Sequence, residues 1–487
     1  MARTRSHPRS HLSHALNHVT HKAIRWCTPS IDQTFTQVKN PYASDTSTSF
    51  ESLGYPSDPS GIFKKIFDHA ANAYGADHTL FSVNGTTGSN FMVLRALSKQ
   101  IPNLRILSER NVHRSIVAAC EDYGINLIFL EPNINQVHQL FLPNTVEQIC
   151  EGIEKTKPQV LLLINPTYEG MCLDLKNVVS TIRIKYPELI IFVDEAWGAH
   201  LHFSDKLPTS AMEAGADICV QSTHKQGGSL QQSGMIHWKE GRVNEDLLIE
   251  SYRSLGTSSP SYVLLASLDA ARETMQKKGK KKLEHMLTLA KRLSDEIGRI
   301  NGLEVVSTEF LKKNYPPVYE RDETKVIVDV ANIGLNGYEV AKILDRKYKI
   351  VVEAYNIKTI LLLVPFRGTI GDIRSTVAAL AEIAQRIKRA KRVGAFDFII
   401  PTNIPRVLEL NEVTKLLLSQ IEKVPLTYAV GRIAAEHITP FPPGIPMTIK
   451  GEGFTKEIVD YYRTLKTYHN LHIAAHDKSM EYVLVVK

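Results

Sequence analysis

With 487 residues, 43% hydrophobic and 22% charged, the chain is long enough for more than one domain and a large buried core. No apolar run reaches the ~18–20 residues of a bilayer span, and five scattered cysteines without a CxxC pair argue against a disulfide scaffold. Of the net charge of +7, residues 1–25 supply +5 through Arg3, Arg5, Arg9, Lys22 and Arg25, so the nearly neutral body gives nucleic-acid binding little support.

Residues 1–50 read as a basic lead-in whose first half also carries His7, His11, His14, His18 and His21. A solvated arm is expected there. Its acid-free, Arg/Ser-rich start also fits an organelle-targeting peptide, whereas the missing apolar h-region speaks against secretion. The expected location is the cytoplasm, or an organelle if the arm is such a peptide.

A large domain is expected over 51–275; from about residue 60 to 240, short apolar runs alternate with helix-like segments, the pattern of a parallel or mixed α/β sheet. Strands are expected at His78–Val83, Leu104–Leu107, Asn126–Leu130, Gln159–Ile164, Leu189–Val193, Asp217–Val220 and Gly234–Trp238. Helices start near Thr86 and Ser115. A long helix, Tyr262 to about Arg299, leads out of this domain, and its KKGKKK run reads as a solvated face. Residues 276–395 form a smaller α/β unit: strands at Leu303–Val306, Lys325–Val330 and Thr359–Val364, a helix from about Tyr338 to Leu344, and a closing helix from about Ile370 to Lys391. A linker at 396–406 leads to a C-terminal module, 407–487, which contains the loop ITPFPPGIP.

Four segments, each after an expected strand, carry chemistry. Open α/β sheets bind ligands at those carboxyl ends. In SVNGTTGSN, a glycine turn opens a helix, so backbone N–H groups with the Thr86 and Thr87 hydroxyls make a phosphate cradle. Alone, such a turn is usually just an N-cap. In NVHRS, His113 is either a capping histidine or an imidazole that stacks on a flat ring. In IIFVDEAWGAH, Asp194 closes an apolar strand, where a carboxylate needs a cationic partner. A protonated pyridine nitrogen is such a partner, and Ala196 is small enough to let a ring lie against the backbone. In ADICVQSTHKQGGS, Lys225 is poorly explained as surface charge, while Ser222 and His224 can reach phosphate oxygens. A lysine with a lowered pKa is a Schiff-base nucleophile. Together these residues specify a site for pyridoxal 5′-phosphate (PLP), with Lys225 bonded to the cofactor as an internal aldimine and Asp194 keeping its ring cationic. No metal is expected.

At this point the chain resembles a family. The segments NGTTGSN, ERNVHRS, NPTYEGMCLDL, VDEAWGAHLHFSDKLPTSAMEAGAD, QSTHKQGGSLQQSG, TSSPSYVLLASLDAAR and GRIAAEHITPFPPGIPMTIKGE are similar to those of the ornithine/lysine/arginine decarboxylases, PLP enzymes of fold type I with the aspartate aminotransferase fold. The likeness spans roughly residues 50–487. It implies a large PLP-binding domain, a smaller α/β domain and a decarboxylase-type C-terminal module. It also implies that Thr257 or Ser258 contacts the phosphate across a subunit interface, and hence a homodimer or higher homo-oligomer. The implied reaction is decarboxylation of arginine, lysine or ornithine to an amine that feeds polyamine metabolism, with arginine slightly favoured. Lys225 or His224 is the proton donor. Two departures stand out: the PGHK-like motif near the N-terminus is missing, and Trp197 replaces the histidine of DEAHGAH, as in larger acid-inducible members.

The substrate's distal cation calls for an acid, with Glu169 and Glu353 as candidates, and Arg367 is a candidate for its carboxylate. The rival readings are an aminotransferase or another PLP lyase on the same fold, and a cofactor-free binding subunit. Intact Lys225, Asp194 and His113 count against the last.

Overall fold

The computed structural model describes residues 23–31, 44–47, 50–387, 399–441, 444–467 and 472–487, together with Val19. The histidine-rich start, most of the expected linker's first residues and the end of the helix expected to reach Lys391 lie outside the described residues.

Seven apolar runs pair into one sheet: β1 (His78–Ser82), β2 (Arg105–Ser108), β3 (Asn126–Phe129), β4 (Val160–Ile164), β5 (Ile190–Asp194), β6 (Ile218–Gln221) and β7 (Gly234–Trp238). Their order is β1-β7-β6-β5-β4-β2-β3, and only β7 runs against the others. The reversal follows from chain length: the short segment after β6 allows an antiparallel return, whereas the parallel neighbours are joined by longer, mostly helical connections.

Alternate residues of the central strands feed two cores. Ile106, Leu162, Ile190 and Phe192 pack with α1 (Gly61–Tyr74), α2 (Gly85–Gln100) and α3 (Arg114–Asp122) on one face. Leu107, Leu161, Leu163, Ile191 and Val193 pack with Ile149, Val178 and Met212 on the other. A sheet covered on both faces needs strands that are apolar throughout.

Helix α4 (Tyr262–Ile297) joins this domain to the next. Its Leu265 and Leu268 belong to the first core, while Met275, Leu283, Met286 and Leu293 belong to the small domain's. There, β8 (Glu304–Val305), β9 (Lys325–Asp329), β10 (Ala354–Tyr355) and β11 (Thr359–Leu363) form an antiparallel sheet ordered β8-β9-β11-β10, and α5 (Ile370–Ile387) packs against α4 in the same core.

Residues 23–31 differ from a solvated lead-in. Ile24–Trp26 pairs in parallel with Ile350–Val352. Trp26 is 1% exposed in the small domain's core, and its indole N–H donates to Thr376 Oγ1 at 2.8 Å. The hydrophobic pair around Arg25 outweighs the basic composition of the arm.

The C-terminal module packs α6 (Lys456–Lys466) over β12 (Ile421–Pro425) and β13 (Tyr482–Val486), burying Ile458, Tyr462, Val483 and Val485. One buried ion pair ties it to the large domain. The Arg110 guanidinium donates to Pro446 O at 3.0 Å, to Met447 O at 2.9 Å and to both oxygens of Glu452. Removing one member of a buried pair strands the other charge. We therefore expect Arg110→Ala to lower stability by about 3–5 kcal/mol, read as a lower urea midpoint; an unchanged midpoint would refute this role.

Candidate active site

A cavity of about 510 Å³ lies at the carboxyl ends of β4, β5 and β6. Thr86, Thr87, His113, Glu169, Asp194, Ala196, Ser222, His224, Lys225 and Glu353 all line it. Its size lies within the roughly 300–1,000 Å³ of small-molecule sites. Residues far apart in sequence meet here.

Asp194, the last residue of β5, is 4% exposed. Its Oδ2 accepts from Asn90 Nδ2 at 3.2 Å and its Oδ1 from the Ala196 N–H at 3.1 Å. Burial pushes its pKa up, opposed by the Lys225 charge and those hydrogen bonds. A cation placed beside it would hold it ionised.

Lys225 sits in the turn Thr223–Gln226 after β6, half-buried. Its Nζ lies 3.7 Å from the centre of the Trp197 ring, a cation–π contact. Burial pulls its pKa down to about 7, with Asp194 and Glu353 acting against that fall. Much of the amine is thus unprotonated near neutrality, as nucleophilic attack requires.

His113 caps α3 and opens onto the cavity. The capping contact leaves its ring facing the cavity. Its Nδ1 accepts from the Ser115 N–H at 3.2 Å, which leaves Nε2 to carry the proton of a neutral ring. Enclosure by the cavity wall, then the Lys225 and Arg114 charges, lowers its pKa. His224 is also neutral. Its Nδ1–H donates to Ser233 O at 2.8 Å, and burial lowers its pKa to about 4.

The cradle is built from backbone and hydroxyls. Gly85 has φ +60°, a turn that opens α2 toward the cavity. Thr86 Oγ1 and Ser222 Oγ lie 2.7 Å apart, both buried. A Cβ on Gly234 would come within 2.7 Å of Gln221 O, so only glycine lets β7 pass so close. Hydroxyls and a helix start suit a phosphate, a lysine suits an aldehyde, and a carboxylate suits a pyridinium. The donor set fits PLP.

Three of the residues singled out are not brought to this cavity. Thr257 and Ser258 are exposed at the surface. Arg367 lines a second cavity, of about 250 Å³, with Arg25 and Asp372. The segment between Cys27 and Pro29 separates the two spaces: Cys27 and Pro29 face the second cavity, Thr28 the first.

Several residues in or behind the cavity wall were not legible as such. Asn90 is one helical turn beyond Thr86 on α2, inside the segment already singled out, and that spacing was the available signal. Thr28 donates its N–H to Glu353 Oε2 at 2.6 Å, and Tyr168 Oη donates to Glu353 Oε1 at 3.2 Å. Phe141 arrives on the second strand of a hairpin, Asn133–Asn135 with Leu140–Leu142. Gly444 and Ile445 of the C-terminal module close one side.

Comparison with known proteins bears on the family of the chain and its fold. Residues 30–372 match the model of the Orn/Lys/Arg decarboxylase major domain, and residues 405–472 match that family's C-terminal domain. The chain belongs to the Orn/Lys/Arg decarboxylase family. It is a PLP-dependent carboxy-lyase by family, with the fold type I architecture. An arginine decarboxylase of Bacillus subtilis (strain 168) is 38% identical over 404 residues, covering 83% of this chain and 81% of that one. The inducible lysine decarboxylase of Escherichia coli (strain K12) is 25% identical over 508 residues, covering 86% and 69%. In structure, the lysine decarboxylase of Francisella novicida superposes with a TM-score of 0.75 at 22% identity, covering 92% of this chain and 75% of that one. That last likeness speaks for the fold alone. No helix among the described residues is long and apolar enough to cross a membrane.

Proposed function

We propose that this protein removes the α-carboxylate of a basic amino acid, with arginine as the favoured substrate, and that Lys225 bears the cofactor. The observation that carries the reading is the meeting of Lys225, Asp194, His113 and the Thr86–Ser222 cradle in one cavity. The arginine preference rests on the named activity of relatives 36–38% identical to this chain, against 25% for the lysine enzyme of Escherichia coli.

Bound PLP supplies the electron sink that makes loss of the carboxylate feasible. The chain's own residues do the rest. Lys225 offers a neutral amine for covalent attachment. Asp194 holds a positive charge at the ring nitrogen, and His113, fixed by Ser115, presents a neutral ring for stacking. Thr86, Thr87, Ser222 and His224 receive the phosphate, with Ala196 leaving room against the ring. The proton that replaces the carboxylate comes from Lys225 rather than His224, because the only proton on neutral His224 is committed to the Ser233 carbonyl.

Of the two acids, Glu353 already accepts from Thr28 and Tyr168. Glu169 has only a 3.4 Å contact with Thr167 Oγ1 among described side chains, and burial pushes its pKa up to about 7. It has the freer carboxylate, so we assign it to the substrate's distal cation. Glu169→Gln should raise KM for the basic substrate on the order of 10–100-fold with a smaller effect on kcat. An unchanged KM would return the role to Glu353. Arg367, in its separate cavity, is left without a substrate role.

We further propose a homodimer in which exposed Thr257 or Ser258 reaches the partner's site, and a cytoplasmic location, which five unpaired cysteines support. The three parts of the chain divide near 275 and within 396–406. The test of function is incubation with PLP and each of arginine, lysine and ornithine, following carbon dioxide and amine. Transfer of the amino group to a keto acid without carbon dioxide release would favour the aminotransferase reading.

A further inference from the structure

A second lysine lies behind the first. Lys325, at the start of β9, is 0% exposed, and its Nζ sits 4.9 Å from the centre of the same Trp197 ring that Lys225 Nζ touches at 3.7 Å. Its ionic partner is Asp322, at 3.5 Å, and Asp322 also faces His200 Nε2 at 3.2 Å. All three side chains are fully buried. Burial alone would push the Asp322 carboxyl up, but His200, Lys325 and the Thr324 hydroxyl hold it well below the usual carboxylate range. Burial pulls the Lys325 pKa down, and the ionised Asp322 carboxylate beside it, with Cys172 and Glu169 further off, acts against that fall.

The cluster is braced against the turn that carries Lys225. Gln226 Nε2 donates to Thr324 Oγ1 at 2.7 Å, and Thr324 Oγ1 donates to Asp322 Oδ1 at 2.6 Å. The residue after Lys225 is thus pinned to the loop that positions Lys325. Other charged or titratable groups face Lys225 as well. Asp194 and Glu353 favour its protonated form, whereas Lys325 opposes it. His113 and His224 are neutral neighbours, and Glu169 lines the far wall. The charge that Asp322 sustains on Lys325 is thus set against two carboxylates, in a space where charges are weakly screened.

We propose that Lys325, held by Asp322 and His200 and acting across the Trp197 ring, is a positioning residue that keeps Lys225 in its neutral, nucleophilic form at physiological pH. This role rests on Lys225 being the cofactor-bearing lysine. Trp197 gains a role as well, since both amines lie against its ring.

The test follows PLP capture by the full-length chain freed of cofactor. The initial rate of forming a borohydride-reducible bond is measured against pH, and the site is located by peptide mass analysis. In Lys325→Met the midpoint of this profile should rise by about one unit or more, a tenfold loss of neutral amine at a given pH below it. Lys325→Arg should retain the wild-type midpoint, which a purely packing role would not restore. If Lys325→Met does not fold, Lys325→Gln, which can still hydrogen-bond to Asp322, replaces it with the same expected rise. Capture at Lys225 with an unmoved midpoint overturns this inference alone. Capture at another lysine in the wild type overturns it together with the assignment of Lys225.

Discussion

Lys225→Ala is expected to lower decarboxylation by at least about 10³-fold, because one side chain supplies both the covalent anchor and the returning proton. The loss should fall on kcat more than on KM, since the cavity walls that receive substrate are unchanged. Borohydride treatment of the PLP-loaded wild type should fix the cofactor to Lys225, and the variant should yield no such peptide. Retained activity in the alanine variant, or a reducible bond at another residue, would remove Lys225 from the reaction. Added small amines should restore part of the rate by supplying the missing proton donor.

Asp194→Asn is expected to cost about 10²–10³-fold in kcat, the usual scale for deleting a preorganised charge at a reacting centre. The amide matches the carboxylate in shape and can still accept from the Ala196 N–H. It carries no charge, however, so nothing holds the ring nitrogen cationic. Cofactor affinity should fall as well, measured by fluorescence titration of the cofactor-free protein. A variant with wild-type kcat would show that the carboxylate at the end of β5 only caps the turn below it. The neighbouring Asn90→Ala should act in the same direction but more weakly, since it removes one hydrogen bond and leaves the charge.

Much of this was legible because the physics is local. Apolar runs covered on both faces, such as Val160–Ile164 and Ile190–Asp194, read as strands without any knowledge of their neighbours. A polar residue directly after such a run, like Asp194, stands out because burial would be costly without a partner. What stayed hidden depends on distant pairings. Nothing around Ile24–Trp26 announces a strand that pairs with Ile350–Val352, and Arg25 between them suggested the opposite. Lys325 opens an expected strand, and only the folded chain shows it fully enclosed beside Trp197. Arg367 was placed by its position after β11, which fixes its neighbours in sequence but not the side of residues 27–29 on which it emerges. The departure of Trp197 from the family's histidine was visible, yet its meaning required two amines from different domains.

The tether between Arg110 and Glu452 also has a bearing on biosynthesis. The two residues are separated by 342 positions. At roughly 5–20 residues per second of translation, Arg110 leaves the ribosome well over ten seconds before its partner is made. Throughout that interval the loop bearing His113 lacks its counter-wall, and a guanidinium destined for the interior has no acid to meet. The nascent enzyme is thus open to water and to other chains at the very place where its chemistry will occur. Docking of the C-terminal module, rather than folding of the large domain, becomes the event that closes the reaction chamber.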